Sequence, residues 1–75
     1  MVEPIDRFVI EKVKEKRKEL GYSQAQLAHE LDMSTGFIGM VEGDDYVNKY
    51  SLAQLNKIAK LFKCSPKDFL PDNPL

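Results

Sequence analysis

Apolar residues recur at Ile5, Val9, Val13 and Leu20 with charged residues between them, which is helical rather than alternating spacing. Gly21 ends this first predicted helix, since glycine takes the left-handed backbone of a helix terminus without strain. Ser23 with Gln26 three positions on forms a capping box, each side chain satisfying a backbone donor of the other. It opens a second helix that carries Leu27 and Ala28 and ends near Leu31. Asp32 is of a type that tolerates a left-handed turn, and Ser34 offers the next N-cap before Phe37, Ile38 and Val41 in a short third helix. Residues 43–50, from Gly43 through Asp44, Asp45 and Tyr46 to Tyr50, are polar and lack helical periodicity, so they read as a loop. Ser51 with Gln54 repeats the capping box, and Leu52, Leu55, Ile58, Ala59 and Phe62 make the apolar stripe of a fourth helix. Ser65, Pro66 and Asp68 then supply a cap, a first-position proline and a first-turn acid before Phe69 and Leu70, and Pro71 stops the fifth helix. The pattern predicts an all-α fold of five helices, at about 5–20, 24–31, 35–42, 52–62 and 66–70, in one domain spanning residues 1–75.

Composition narrows the classes. A chain of 75 residues has a core small enough that pairing with a second copy would add stability. No apolar run approaches the roughly 20 residues of a membrane span, and acids precede the first apolar group at the N-terminus, unlike a signal peptide. A cytoplasmic protein is expected. Cys64 is the single cysteine and His29 the single histidine, too few for a disulfide or a structural zinc site, so no metal or cofactor is expected. No nucleophile–base pair, phosphate loop or metal cluster is present, which sets an enzyme aside. The net charge of −1 argues mildly against a nucleic-acid partner, whose footprint is usually basic. Its distribution matters more. Two basic segments, 7–20 and 49–67, flank an acidic middle, 23–45, that holds no lysine or arginine. Phosphate contacts would have to come from the ends of the first and fourth helices and the loop before the latter.

Two short helices joined by a tight turn occur in many bundles, and side-chain size sharpens the reading. A steep crossing needs a small residue beneath it, a turn that admits a left-handed residue, and branched apolar groups on the second helix. Ala28, Asp32, Ile38 and Val41 meet these needs in order. Ser23-Gln24-Ala25-Gln26-Leu27-Ala28, followed by Ser34, Ile38 and Glu42, resembles the phage repressor/Cro-like (XRE) helix-turn-helix family. The resemblance covers about residues 10–70, with Val13 and Arg17 on the first helix and Ser65 to Leu70 at the end. It implies a lambda-repressor-like DNA-binding domain with the helix-turn-helix at helices two and three, and a structural ion pair between Arg17 and Glu42.

The resemblance also implies that the third helix lies in the major groove while the second starts against the backbone. Gln24 then contacts phosphate together with the N–H groups of that helix start, although by type alone it is an ordinary surface glutamine. The outward positions of the third helix are Thr35, Gly36, Phe37, Gly39 and Met40, with Ser34 capping. None is Arg, Lys, Asn or Gln, the side chains that read guanine or adenine bidentately. Gly36 and Gly39 each lower helix propensity by about 1 kcal/mol relative to alanine. Close backbone approach to DNA explains them, with Thr35, Phe37 and Met40 reaching thymine methyls. The same smooth face suits a hydrophobic protein partner, and Phe37 equally fits the core.

Asn48, Lys49 and Tyr50 are the loop candidates for backbone contacts, a solvated lysine being the common alternative. The lysines at 12, 14, 16 and 18 are spread around the first helix among Glu11, Glu15 and Glu19, largely as an ion-paired solvent face. His29 reads as an exposed bystander and Cys64 as a buried thiol. Two functions follow: a homodimeric, sequence-specific regulator of double-stranded DNA acting as a repressor, with Phe69, Leu70 and Leu75 at the dimer contact, or an antitoxin-like or adaptor module that uses the same fold on a protein partner.

Overall fold

The computed structural model describes residues 2–43 and 47–75, and has four α-helices followed by one 3-10 turn. The helices are α1 (Pro4–Glu19), α2 (Gln24–Glu30), α3 (Thr35–Glu42) and α4 (Leu52–Phe62), and the 3-10 turn is Pro66–Phe69. The Asp44, Asp45 and Tyr46 part of the expected loop lies outside the described residues. The four-residue 3-10 turn replaces the expected fifth α-helix. Ser65 caps it and Pro71 follows two residues after Phe69, so the chain lacks the length for an i→i+4 ladder.

Local chemistry sets the boundaries. α1 starts one residue earlier than the apolar pattern implies because Pro4 occupies its first turn, where no amide proton is needed, while the Asp6 carboxylate accepts the Glu3 N–H at 2.9 Å. Gly21 takes the left-handed conformation (φ 80°) and lets the Tyr22 N–H reach the Arg17 carbonyl at 3.0 Å. Ser23, Ser34 and Ser51 each cap a helix as expected, their hydroxyls accepting from the N–H groups of Gln26, Phe37 and Gln54. Asp32 is left-handed (φ 54°) in the α2–α3 turn. Lys63, also left-handed (φ 56°), closes α4 where glycine or asparagine would be the usual choice.

The core gathers Val9, Ile10 and Val13 of α1, Leu27 and Ala28 of α2 with its C-cap Leu31, Ile38 and Val41 of α3, Leu55, Ile58, Ala59 and Phe62 of α4, and Tyr50 and Phe69. Phe62 links two further rings, stacked on Tyr22 at 5.7 Å and edge-on to Phe69 at 6.4 Å. Three positions of the sequence stripes lie outside this core. Ile5 and Leu20, in the first turn and at the C-cap of α1, are half-exposed, and Leu52, the first residue of α4, is 82% exposed. Terminal turns project past the neighbouring helices, and Ile10 and Arg17 fill the buried face of α1 instead. Cys64 is half-buried, and its thiol pKa is pushed up by desolvation.

Among the described residues no helix is long and apolar enough to cross a membrane, and no group of three or more His, Cys, Asp or Glu could hold a metal ion.

Candidate nucleic-acid interface

α2 and α3 pack more extensively on each other than any other pair of elements, and the small Ala28 of α2 is 1% exposed. Ile38 and Val41 turn the inner side of α3 into the core with no exposed surface. Its orientation is fixed by the expected pair. Arg17 Nε donates to Glu42 Oε2 at 2.8 Å and Arg17 Nη2 to Glu42 Oε1 at 2.8 Å, with both residues buried. Arg17 Nη1 donates to the Tyr22 carbonyl at 2.7 Å, so the guanidinium is satisfied on three nitrogens. The hydrogen bonds to Glu42 hold the Arg17 proton more tightly than usual. This bidentate pair ties the end of α3 to the end of α1.

Gln24 is drawn into the same network. Its Nε2 donates to Glu42 Oε1 at 3.1 Å and the residue is half-buried. This bond uses one of the two protons of the amide and helps to position α3, and its acceptor lies 18 positions away, beyond any local pattern. Arg7 is a neighbour of the α3 end that sequence reasoning missed. Its Nη1 donates to the Gly43 carbonyl at 3.0 Å and its Nη2 pairs with Glu11 at 2.9 Å. It thus places a cation at the C-terminal end of α3, where the helix dipole favours one.

The opposite side of α3 faces outward. Ser34, Thr35 and Gly36 are exposed, Met40 is 48% exposed, and Phe37 and Gly39 are half-buried. Phe37 leans inward, its ring meeting Tyr50 edge-on at 6.2 Å. Asn48 reaches this face from the loop, its Nδ2 donating to Met40 Sδ at 3.7 Å. Lys49 lies farther round, 3.4 Å from Asp6 Oδ2 in a half-exposed pair. A Cβ built on Gly36 would meet nothing within 4 Å, and one on Gly39 only Gln24 Oε1 at an ordinary 3.6 Å. The fold therefore has no use for the smallness of either glycine.

Tyr50 requires a correction. Expected as a phosphate donor, it is 7% exposed, and its buried hydroxyl has no hydrogen-bond partner among the described residues. The aromatic ring belongs to the core, which outweighs the polar setting of the loop. Tyr50→Phe removes an unsatisfied hydroxyl, so stability in urea at neutral pH should be unchanged or rise by up to about 1 kcal/mol. Burial, and then the Glu42 charge, raises the phenol pKa. Above pH about 10 the unfolded chain ionises while the folded one stays neutral, so wild-type stability falls as pH rises and this component is absent from the variant. A loss above 1 kcal/mol at neutral pH would show that the hydroxyl has a partner after all.

Phe69 is corrected as well. It is wholly buried in the protomer core and unavailable to a dimer contact, whereas Leu70 and Leu75 are 43% and 67% exposed.

Two short packed helices joined by a tight turn with Asp32 left-handed, the second tied to α1 by a buried ion pair and exposed on its outer face, define a helix-turn-helix unit. The helix-turn-helix family pattern matches residues 13–69, and the chain belongs to this family, in its Cro/C1-type (XRE) branch. Part of the structure titled "Crystal Structure of CoII HppE in Complex with Substrate" is similar in fold, with a TM-score of 0.75 at 22% identity over 89% of this chain and 36% of that one. The chain thus spans about a third of that neighbour's length. No curated protein matches the chain in sequence.

Proposed function

We propose that the protein binds double-stranded DNA sequence-specifically, inserts α3 into the major groove, and regulates transcription as a repressor without catalytic chemistry of its own. The observation that carries this reading is the pair of glycines on the outer face of α3. Each disfavours the helix, and neither is required by any contact within the chain. A close-fitting external surface supplies the missing reason. Family membership supports DNA as that surface, and the Arg17–Glu42 pair fixes the end of the helix for it. Ser34, Thr35, Gly36, Gly39 and Met40 form the groove face, and Asn48 beside it and Lys49 farther round, exchanging its Asp6 contact for phosphate, serve as backbone contacts. A single module of this kind buries only about 600–1,000 Å² on DNA, which favours a homodimer joined through Leu70 and Leu75.

The test is fluorescence-anisotropy titration of pooled random duplexes between about 50 and 200 mM salt. Binding should weaken steeply with salt. Lys49→Ala should weaken it evenly across sequences and reduce the salt slope by about 1. A folded protein that binds no duplex at low salt would overturn the reading and turn attention to a protein partner for the exposed Met40.

A further inference from the structure

We infer, resting on the DNA-binding reading above, that the half-site is A·T-rich where α3 enters the groove and is recognised through thymine C5-methyl groups, by Thr35 and Met40. The polar side chains around this face each hold a contact within the chain. Ser34 Oγ accepts the Phe37 N–H at 3.0 Å, the Gln24 amide donates to Glu42, and Asn48 Nδ2 is turned onto the Met40 sulfur. The segment 23–45 contains no lysine or arginine, so guanine N7 and O6 meet no cationic fork from the helix-turn-helix. Thr35 carries the one exposed hydroxyl on α3 itself, beside a methyl group.

What α3 does present is apolar and close. Positions 35, 36, 39 and 40 form one continuous strip of a helix, and two of the four have no side chain. A helix with side chains is about 10–12 Å across, nearly the roughly 12 Å width of the major groove. Removing side chains along the strip lets the backbone sink and brings the Thr35 methyl and the flexible Met40 thioether to the groove floor. The apolar marker there is the thymine methyl, which no other base carries. Phe37 is excluded from this role because its ring packs against Tyr50.

The experiment selects duplexes from a random-core pool, then remakes the selected duplex with deoxyuridine in place of thymidine. An A·T-enriched core is expected, with affinity falling about fourfold for each contacted methyl removed, the equivalent of ~0.8 kcal/mol per buried carbon. The uracil penalty should shrink in Met40→Ala and in Thr35→Ser, which keeps the hydroxyl but loses the methyl. Equal affinity for the thymine and uracil duplexes, or selection of a G·C core, overturns the inference while salt-sensitive binding keeps the DNA reading intact. Absence of salt-sensitive binding to any pool overturns both.

Discussion

Glu42→Ala is expected to destabilise the protein by about 3–5 kcal/mol, the usual effect of removing one partner from a buried ion pair. Folded domains hold on the order of 0.05–0.15 kcal/mol per residue, so a chain of this length has little reserve beyond such a loss. The reason is asymmetric. Arg17 would remain buried with only the Tyr22 carbonyl as a partner, and Gln24 would lose its acceptor at the same time. The pair itself contributes much less than this, because both charges were desolvated to form it. Arg17→Met with Glu42→Leu should therefore recover most of the loss, since apolar groups of similar volume need no compensation in that setting. Urea denaturation followed by circular dichroism measures all three proteins. A loss below 1 kcal/mol for Glu42→Ala would mean that solvent reaches the guanidinium, against the burial of both residues.

The parts of this architecture that could be read in the sequence are those decided by neighbours a few residues apart. Ser23 with Gln26 and Ser51 with Gln54 announce helix starts because the whole capping box lies within one turn. Gly21 and Asp32 mark left-handed positions for equally local reasons. Arg17 and Glu42 are 25 residues apart and came only through the resemblance to a family; neither periodicity nor spacing joins them. Groups whose partners are distant and unmarked stayed hidden. Gln24 looks like a surface residue until α3 brings Glu42 beside it, and Arg7 looks like half of an i,i+4 pair until its fork reaches the Gly43 carbonyl. Tyr50 and Phe69 sit in segments too short to show a period, so their burial depends on where the helices leave space. Lys63 ran against propensity: the turn after α4 imposes a left-handed residue and the chain supplies a lysine.

Gly36→Glu is expected to leave the fold intact while lowering affinity for duplex DNA by more than about 100-fold. The structural half of this expectation rests on open space, since a side chain at position 36 meets nothing within 4 Å. A carboxylate in the first turn of α3 also suits the helix dipole, and any residue other than proline improves on glycine's propensity. The melting temperature should therefore hold or rise. The functional half rests on the same geometry seen from outside. If the strip from Thr35 to Met40 lies on the groove floor, the new side chain occupies space that the duplex must fill, and its charge sits among phosphates where like-charge contact costs several kcal/mol. Gly39→Ala makes the argument quantitative without any charge. Its Cβ would sit 3.6 Å from Gln24 Oε1, an ordinary contact, so it should stabilise the domain by about 0.5–1 kcal/mol, worth roughly 4–8 °C per kcal/mol in a domain of this size, and still weaken binding. A substitution that strengthens the fold and weakens the complex separates a glycine kept for a partner from one kept for the chain. Undiminished duplex binding by Gly36→Glu would remove this face of α3 from the interface.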